Sequence, residues 1–219
     1  MKNFLLLSNY APKEGFSYPN GQCPISHRAG AHQRIKGLER YWNEPIVWEI
    51  VEAEKYEHVS LEHFTHEKKW DAIWLSGSPF NTEEENSHPW IKNVKLLTKE
   101  LASQTDIPVI GICFGLQLMN EAFGGKLGKR SKTLNGEVFI TDADDNPLAK
   151  CFTDHEDYIT SLPANSKLLG LGPEEMPYLI QLSNNVWGIQ PHPEHTLKNQ
   201  QDQPEADKFW RDFFNRVVS

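Results

Sequence analysis

Apolar residues in the first half of the chain fall into short unbroken runs, separated by stretches where apolar positions recur every three or four residues. The unbroken runs predict strands buried on both faces: Phe4 to Leu7, Pro45 to Val51, Trp70 to Leu75 and Ile107 to Ile112. The spaced stretches predict helices. One covers about residues 29 to 42 and ends near Trp42. A second runs from Pro89 to about Ser103 with Trp90, Val94, Leu97 and Leu101 on one face, and a third from Phe114 to Ala122 is stopped by Gly124-Gly125. Strand and helix alternating in this way indicate a parallel sheet covered by helices on both sides.

The pattern changes in the second half. Gly136 to Thr141, Asp157 to Thr160, Leu168-Leu169, Tyr178 to Leu182 and Val186 to Gln190 read as short strands broken by turns, an antiparallel or mixed edge on the parallel core. A last helix, about Glu205 to Val218, gathers Phe209, Trp210, Phe213, Phe214 and Val217 on one broad face that should dock on the sheet. The expected fold is α/β: a doubly wound, mostly parallel sheet with flanking helices and an added antiparallel edge. With no internal repeat or linker, 219 residues predict one domain spanning 1–219.

Charge narrows the partners. A formal net charge of -8 argues against nucleic acid and anionic membrane surfaces. The apolar run Phe4 to Leu7 is too short for a signal peptide, and no later stretch approaches a transmembrane length. Three widely spaced cysteines, Cys23, Cys113 and Cys151, do not make a disulfide framework, so a reducing, cytoplasmic setting is expected. The loop from Asn9 to Arg28, rich in Pro and Gly and holding Cys23 and His27, reads equally as a lid or a surface excursion.

In open parallel sheets functional groups gather at the carboxyl ends of strands. Two turns meet that condition: Ser76-Gly77-Ser78-Pro79, and the strand-to-helix turn Gly111-Ile112-Cys113-Phe114-Gly115. The glycine bracket resembles a nucleophile elbow, and a helix N-terminus favours thiolate. Free cysteine is also among the most buried residue types, so the bracket alone leaves nucleophile and core residue both open. A cysteine nucleophile needs a base and a group to orient it. His192, held between Pro191 and Pro193 just after a predicted strand, supplies the first, and Glu194 the second. The Phe114 amide and the turn at Gly77-Ser78 are candidate oxyanion donors.

These residues carry a resemblance. Gly-x-Cys-x-Gly-x-Gln followed by His-Pro-Glu is the signature of class I glutamine amidotransferases, and here it stands as Gly111 to Gln117 and His192-Pro193-Glu194. Ser76-Gly77-Ser78-Pro79 is similar to the family's oxyanion strand, usually Ser-Gly-Gly-Pro or Gly-Gly-Pro. His88-Pro89-Trp90 resembles the Pro-Trp that opens the next helix in members similar to the glutaminase part of GMP synthase. His155-Glu156-Asp157-Tyr158-Ile159-Thr160-Ser161-Leu162-Pro163 resembles His-Gly-Asp-x-Val-x-x-Leu-Pro. The resemblance runs from about Asp71 to His195, while the first 70 residues match only in outline.

The resemblance implies a Cys113-His192-Glu194 triad that attacks a γ-glutamyl amide through a thioester and releases ammonia, with no cofactor. It implies that Gln117 and the segment His155, Glu156 and Asp157 hold the amino and carboxylate ends of a small substrate, glutamine or a γ-glutamyl compound. Glu156 stands where the family has a small residue, Ser78 replaces a common Gly, and the loop Asn9 to Arg28 is longer than in most relatives. Either a separate synthetase receives the ammonia, or the chain is a free-standing hydrolase of γ-glutamyl peptides or conjugates. Metal binding through His192, Glu194 and His195, with His63 or His66, lacks helical His-x-x-x-His spacing and a Cys-x-x-Cys pair. A catalytically dead binding module is disfavoured by the intact Cys, His and Glu.

Overall fold

The computed structural model describes residues 1–9, 27–52, 62, 70–199 and 201–219, with backbone only for 27–30. The expected loop to Arg28, with Cys23 and the His27 side chain, and His63 and His66 lie outside the described residues. Among the described residues nine strands form one sheet in the order β2-β1-β3-β4-β9-β8-β7-β5-β6. The first five in that order, β2 (Ile46–Glu52), β1 (Lys2–Ser8), β3 (Ala72–Leu75), β4 (Val109–Ile112) and β9 (Val186–Ile189), pair in parallel. From β9 outward, β8 (Pro177–Ser183), β7 (Lys167–Leu171), β5 (Lys126–Thr141) and β6 (Pro147–Ser161) are antiparallel. This is the α/β sheet with an antiparallel edge that the pattern predicts.

The apolar runs of β1, β3 and β4 are buried on both faces because alternate residues enter different cores. The run expected over Pro45 to Val51 instead forms the edge strand β2, where residues are half-buried and Val47 is exposed. On one face Leu5, Leu7, Ile73, Leu75 and Val109 pack against α2 (Pro89–Gln104) and α3 (Phe114–Ala122). On the other, Phe4, Leu6, Trp74, Ile110 and Ile112 meet α1 (His27–Glu39) and α4 (Gln203–Val217). The stripe on α4 buries Trp210, Phe213, Phe214 and Val217, and Phe209 packs at its margin. Trp74 and Phe214 meet edge to face at 5.1 Å, so the central strand and the last helix share an aromatic core.

The long hairpin departs from the pattern. Only Gly136 to Thr141 and Asp157 to Thr160 read as strand, yet β5 and β6 extend over 16 and 15 residues. Lys126 to Lys132 is mostly polar and much of it is exposed, so it lacks the apolar alternation of a half-buried strand. The ladder itself shifts register between Lys129 and Leu134. The hairpin matters for the site, because β6 carries the segment Thr153 to Asp157 up to Cys113.

Candidate active site

Cys113 lies between β4 and α3 with φ 51° and ψ −108°, an unfavourable backbone conformation for a residue with a side chain. Two bonds hold it there. Its amide donates to the Ile189 carbonyl at 2.7 Å, and its carbonyl accepts from Gln117 N at 3.0 Å. The glycine bracket has a packing reason. A Cβ on Gly115 would stand 2.5 Å from the Leu75 carbonyl oxygen, and one on Gly111 would stand 2.6 Å from the Gly115 carbonyl carbon. The elbow therefore sits directly against the end of β3, from which the Ser76 to Pro79 turn departs.

That turn is latched to β1. Asn9 donates its amide to Ser76 Oγ at 2.9 Å and its carboxamide to the Ser76 carbonyl at 2.7 Å. Ser78 Oγ donates to the Asn9 carbonyl at 2.8 Å. Among the described residues the Gly77 and Ser78 amides have no acceptor. The Phe114 amide opens α3, where helix geometry gives it no intrahelical partner.

The Cys113 side chain is buried, with Sγ 3.9 Å from the Asp154 carbonyl oxygen and 3.7 Å from the Gln190 carboxamide nitrogen. His192 lies beside Cys113, and its Nδ1 pairs with Glu194 Oε1 at 2.8 Å. Its own amide donates to the Phe152 carbonyl at 2.7 Å, which ties the loop after β9 to β6. Burial by itself disfavours the imidazolium, but the Glu194 carboxylate and Cys113 outweigh it and push His192 up to about 10. Glu194, which burial alone would push up, is held down at about 2 by His192 and by Arg34. The structure thus brings together the three residues expected as a triad.

The substrate candidates divide. Gln117 Nε2 and His155 Nδ1 both donate to the Asp157 carbonyl, at 3.0 and 2.8 Å. His155 Nε2 meets Tyr178 Oη at 3.0 Å, so both ring nitrogens are engaged within the protein, and burial lowers His155 to about 4. Asp157 keeps its carboxylate available. Burial raises it to about 6, with Glu83, Glu156 and Glu121 adding to the rise and Lys129 opposing it. Glu156 does not join this group. Residues alternate across β6, which turns Glu156 outward onto Thr133 Oγ1 at 3.0 Å while its neighbours face inward.

Helix α1, expected from the apolar spacing, also contributes to the site through residues that no motif marks. Arg34 hydrogen-bonds His195 Nε2 and lies 3.4 Å from Glu194 Oε1. Arg40 donates to the Pro193 and His195 carbonyls at 2.7 and 2.8 Å, and Tyr41 Oη to Pro193 O at 2.6 Å. Nothing local marks Arg34, which stands 161 positions before His195. The donor atoms of His192, Glu194 and His195 lie within 4.8 Å of one another, a spacing compatible with a metal ion. Two of the three already face the Arg34 guanidinium, a fixed cation that disfavours another.

Residues 43–211 match the family model described as glutamine amidotransferase class-I. The chain belongs to this family. Two similar amidotransferase relatives are GMP synthases [glutamine-hydrolyzing]. The Brachyspira hyodysenteriae protein is 30% identical over 145 residues, and the Haemophilus influenzae protein is 32% identical over 143. These alignments cover 63% and 58% of this chain and 26% of either relative, so the chain spans about a quarter of their length. A glutamine amidotransferase from Thermotoga maritima shares the fold, with a TM-score of 0.67 at 15% identity over 100% of this chain and 98% of its own. No helix among the described residues is long and apolar enough to cross a membrane.

Proposed function

We propose that this amidotransferase-family protein hydrolyses the side-chain amide of glutamine through a thioester on Cys113. The observation that carries the reading is the Cys113 elbow, with a non-glycine φ of 51°, facing a His192 that Glu194 holds at 2.8 Å. Sγ attacks the amide carbon with its proton passed to His192. The amide carbon becomes tetrahedral, and its oxygen takes the negative charge between the Phe114 amide and the Gly77-Ser78 turn. Collapse breaks the carbon–nitrogen bond, and His192 Nε2–H protonates the departing nitrogen, which leaves as ammonia. Neutral His192 then removes a proton from water, and hydroxide attack on the thioester returns glutamate and Cys113.

Asp157 is the partner for the substrate's α-ammonium, since its buried carboxylate gains from a cation. Gln117 and His155 act on substrate indirectly, by fixing the Asp157 backbone. The family membership and the name of the GMP synthase relatives support glutamine as the amide donor, and the released ammonia is then available to a separate acceptor enzyme. The test is ammonia release from glutamine, compared with cleavage of γ-glutamyl peptides. Cys113→Ala should abolish release while thermal melting stays within a few degrees of wild type. Normal turnover in that variant would remove the thioester route, and cleavage of the peptides in preference to glutamine would replace the substrate.

A further inference from the structure

The mechanism leaves one electrostatic problem. Glu194 is buried, and its Oε2 has no hydrogen-bond partner among the described residues. While His192 is an imidazolium, the carboxylate has a cation at 2.8 Å. Once His192 has given its proton to the leaving nitrogen, that compensation is gone, and a bare buried carboxylate competes with water's proton for the role of base. Deacylation needs the opposite distribution, with His192 neutral and Glu194 still ionised.

Arg34 meets that need. Its guanidinium keeps its charge at every accessible pH and lies 3.4 Å from the same Glu194 oxygen that His192 uses. Its bond to His195 Nε2 requires that ring nitrogen as an acceptor, so His195 is neutral there and does not compete as a second cation. Burial, with Arg34 next, lowers His195 to about 3, in accord with that geometry. The helix carrying Arg34 is placed by several contacts: Arg40 and Tyr41 bond the Pro193 and His195 carbonyls, Arg40 Nε pairs with Asp207 of α4 at 3.0 Å, and Gly37 lets the helix touch Glu194's backbone. Among the described residues, the charged and titratable groups around Glu194 are His192 and His195 from its own loop and Arg34 and Tyr41 from α1 and its end, with Arg40 on the neighbouring carbonyls and Cys113 beyond His192.

We infer that Arg34 is a positioning residue for the hydrolytic step: a permanent counter-ion that keeps Glu194 ionised while His192 cycles between charged and neutral. The inference rests on the proposed triad, but its source is separate. Residues His27–Glu39 lie outside the span 43–211 that matches the family model, so the counter-ion comes from a part of this chain the family pattern does not cover.

The test is the imidazole titration of His192 by nitrogen NMR in histidine-labelled full-length protein, its signal assigned by its loss in His192→Asn, together with kcat against pH. Removing a fixed cation raises the proton affinity of the His192–Glu194 pair as a unit. In Arg34→Met the His192 titration and the acid limb of kcat should both move to higher pH by about one unit, and kcat on that limb should fall about tenfold with KM little changed. Arg34→Lys should keep the limb where wild type has it while losing part of the rate, because the charge remains and the fork geometry does not. If the NMR shift appears while wild type releases no ammonia, the counter-ion stands and the proposed function falls. A folded Arg34→Met protein with an unmoved His192 titration, or the same limb shift in Arg34→Lys as in Arg34→Met, overturns the inference.

Discussion

At the scale of single residues, the site is a set of groups whose ordinary protonation is overruled by their surroundings. Asp157 makes this measurable. Held at about 6, chiefly by burial, it carries charge above that pH and loses it below. If it holds the substrate ammonium, KM for glutamine should rise as pH falls through about 6, and Asp157→Asn should remove that dependence while raising KM about tenfold or more at pH 8. Steady-state kinetics from pH 5 to 8 on both proteins checks it, and an unchanged KM in Asp157→Asn places the ammonium elsewhere. The sequence made Cys113, His192 and Glu194 legible because each lies in a short local motif. The bonds of Gln117 and His155 to the Asp157 backbone were not legible, because that contact is created only when β6 crosses α3. The sequence also grouped Glu156 with its neighbours, although residues adjacent on a strand face opposite sides.

At the scale of elements, close backbone approaches set the site. A Cβ on Gly37 would fall 2.0 Å from the Glu194 carbonyl oxygen, a backbone atom that cannot step aside without moving the His192 loop. Replacing a helical glycine by alanine ordinarily stabilises by about 1 kcal/mol. Gly37→Ala should instead destabilise by roughly 1–3 kcal/mol, as overpacking does, and should lower kcat. Urea unfolding reads the first effect, and a stabilised variant would mean that α1 does not bear on the loop as described. Strands β1, β3 and β4 and helices α2 and α3 were readable because each is apolar in a regular period and bounded by Pro, Gly or a turn. The hairpin of β5 and β6 was only half readable, because its exposed portion is polar and is held by pairing rather than by apolar burial.

For the whole molecule, the same buried groups tie stability to pH. Burial lowers His155 to about 4 and His195 to about 3, well under the unfolded value near 6.5. Below pH 6.5 the unfolded chain takes up protons that the folded chain refuses, so their contribution is complete above that pH and lost as pH falls toward 3. Glu194, lowered to about 2, adds a loss of the same sign below its unfolded value of 4.5. His192 works in the other direction: raised to about 10, its contribution is complete below 6.5 and disappears as pH rises through 10. Stability should therefore peak near neutral pH and decline on the acid side by about 1.4 kcal/mol per pH unit for each proton taken up. Urea melts from pH 4 to 9 measure this, and a flat profile would mean that these groups are not held as described. The overall architecture was legible because sheet order follows from alternating strand and helix. The contact of α1 with the triad loop was not, because it joins segments far apart in sequence through side chains that no motif marks.

The central claim is that Cys113, and no other thiol of the chain, forms the covalent intermediate with a γ-glutamyl group. A glutamine-analogue alkylating agent, 6-diazo-5-oxo-norleucine, tests it most directly when the protein is treated, digested and the adduct located by mass spectrometry. The account expects one adduct per chain, on Cys113, appearing in step with loss of ammonia release and absent in His192→Asn. Cys151 should stay unmodified, because burial pushes its thiol well above the usual range and no base faces it among the described residues. An adduct on Cys23 or Cys151, or full inactivation with Cys113 unmodified, would contradict the claim.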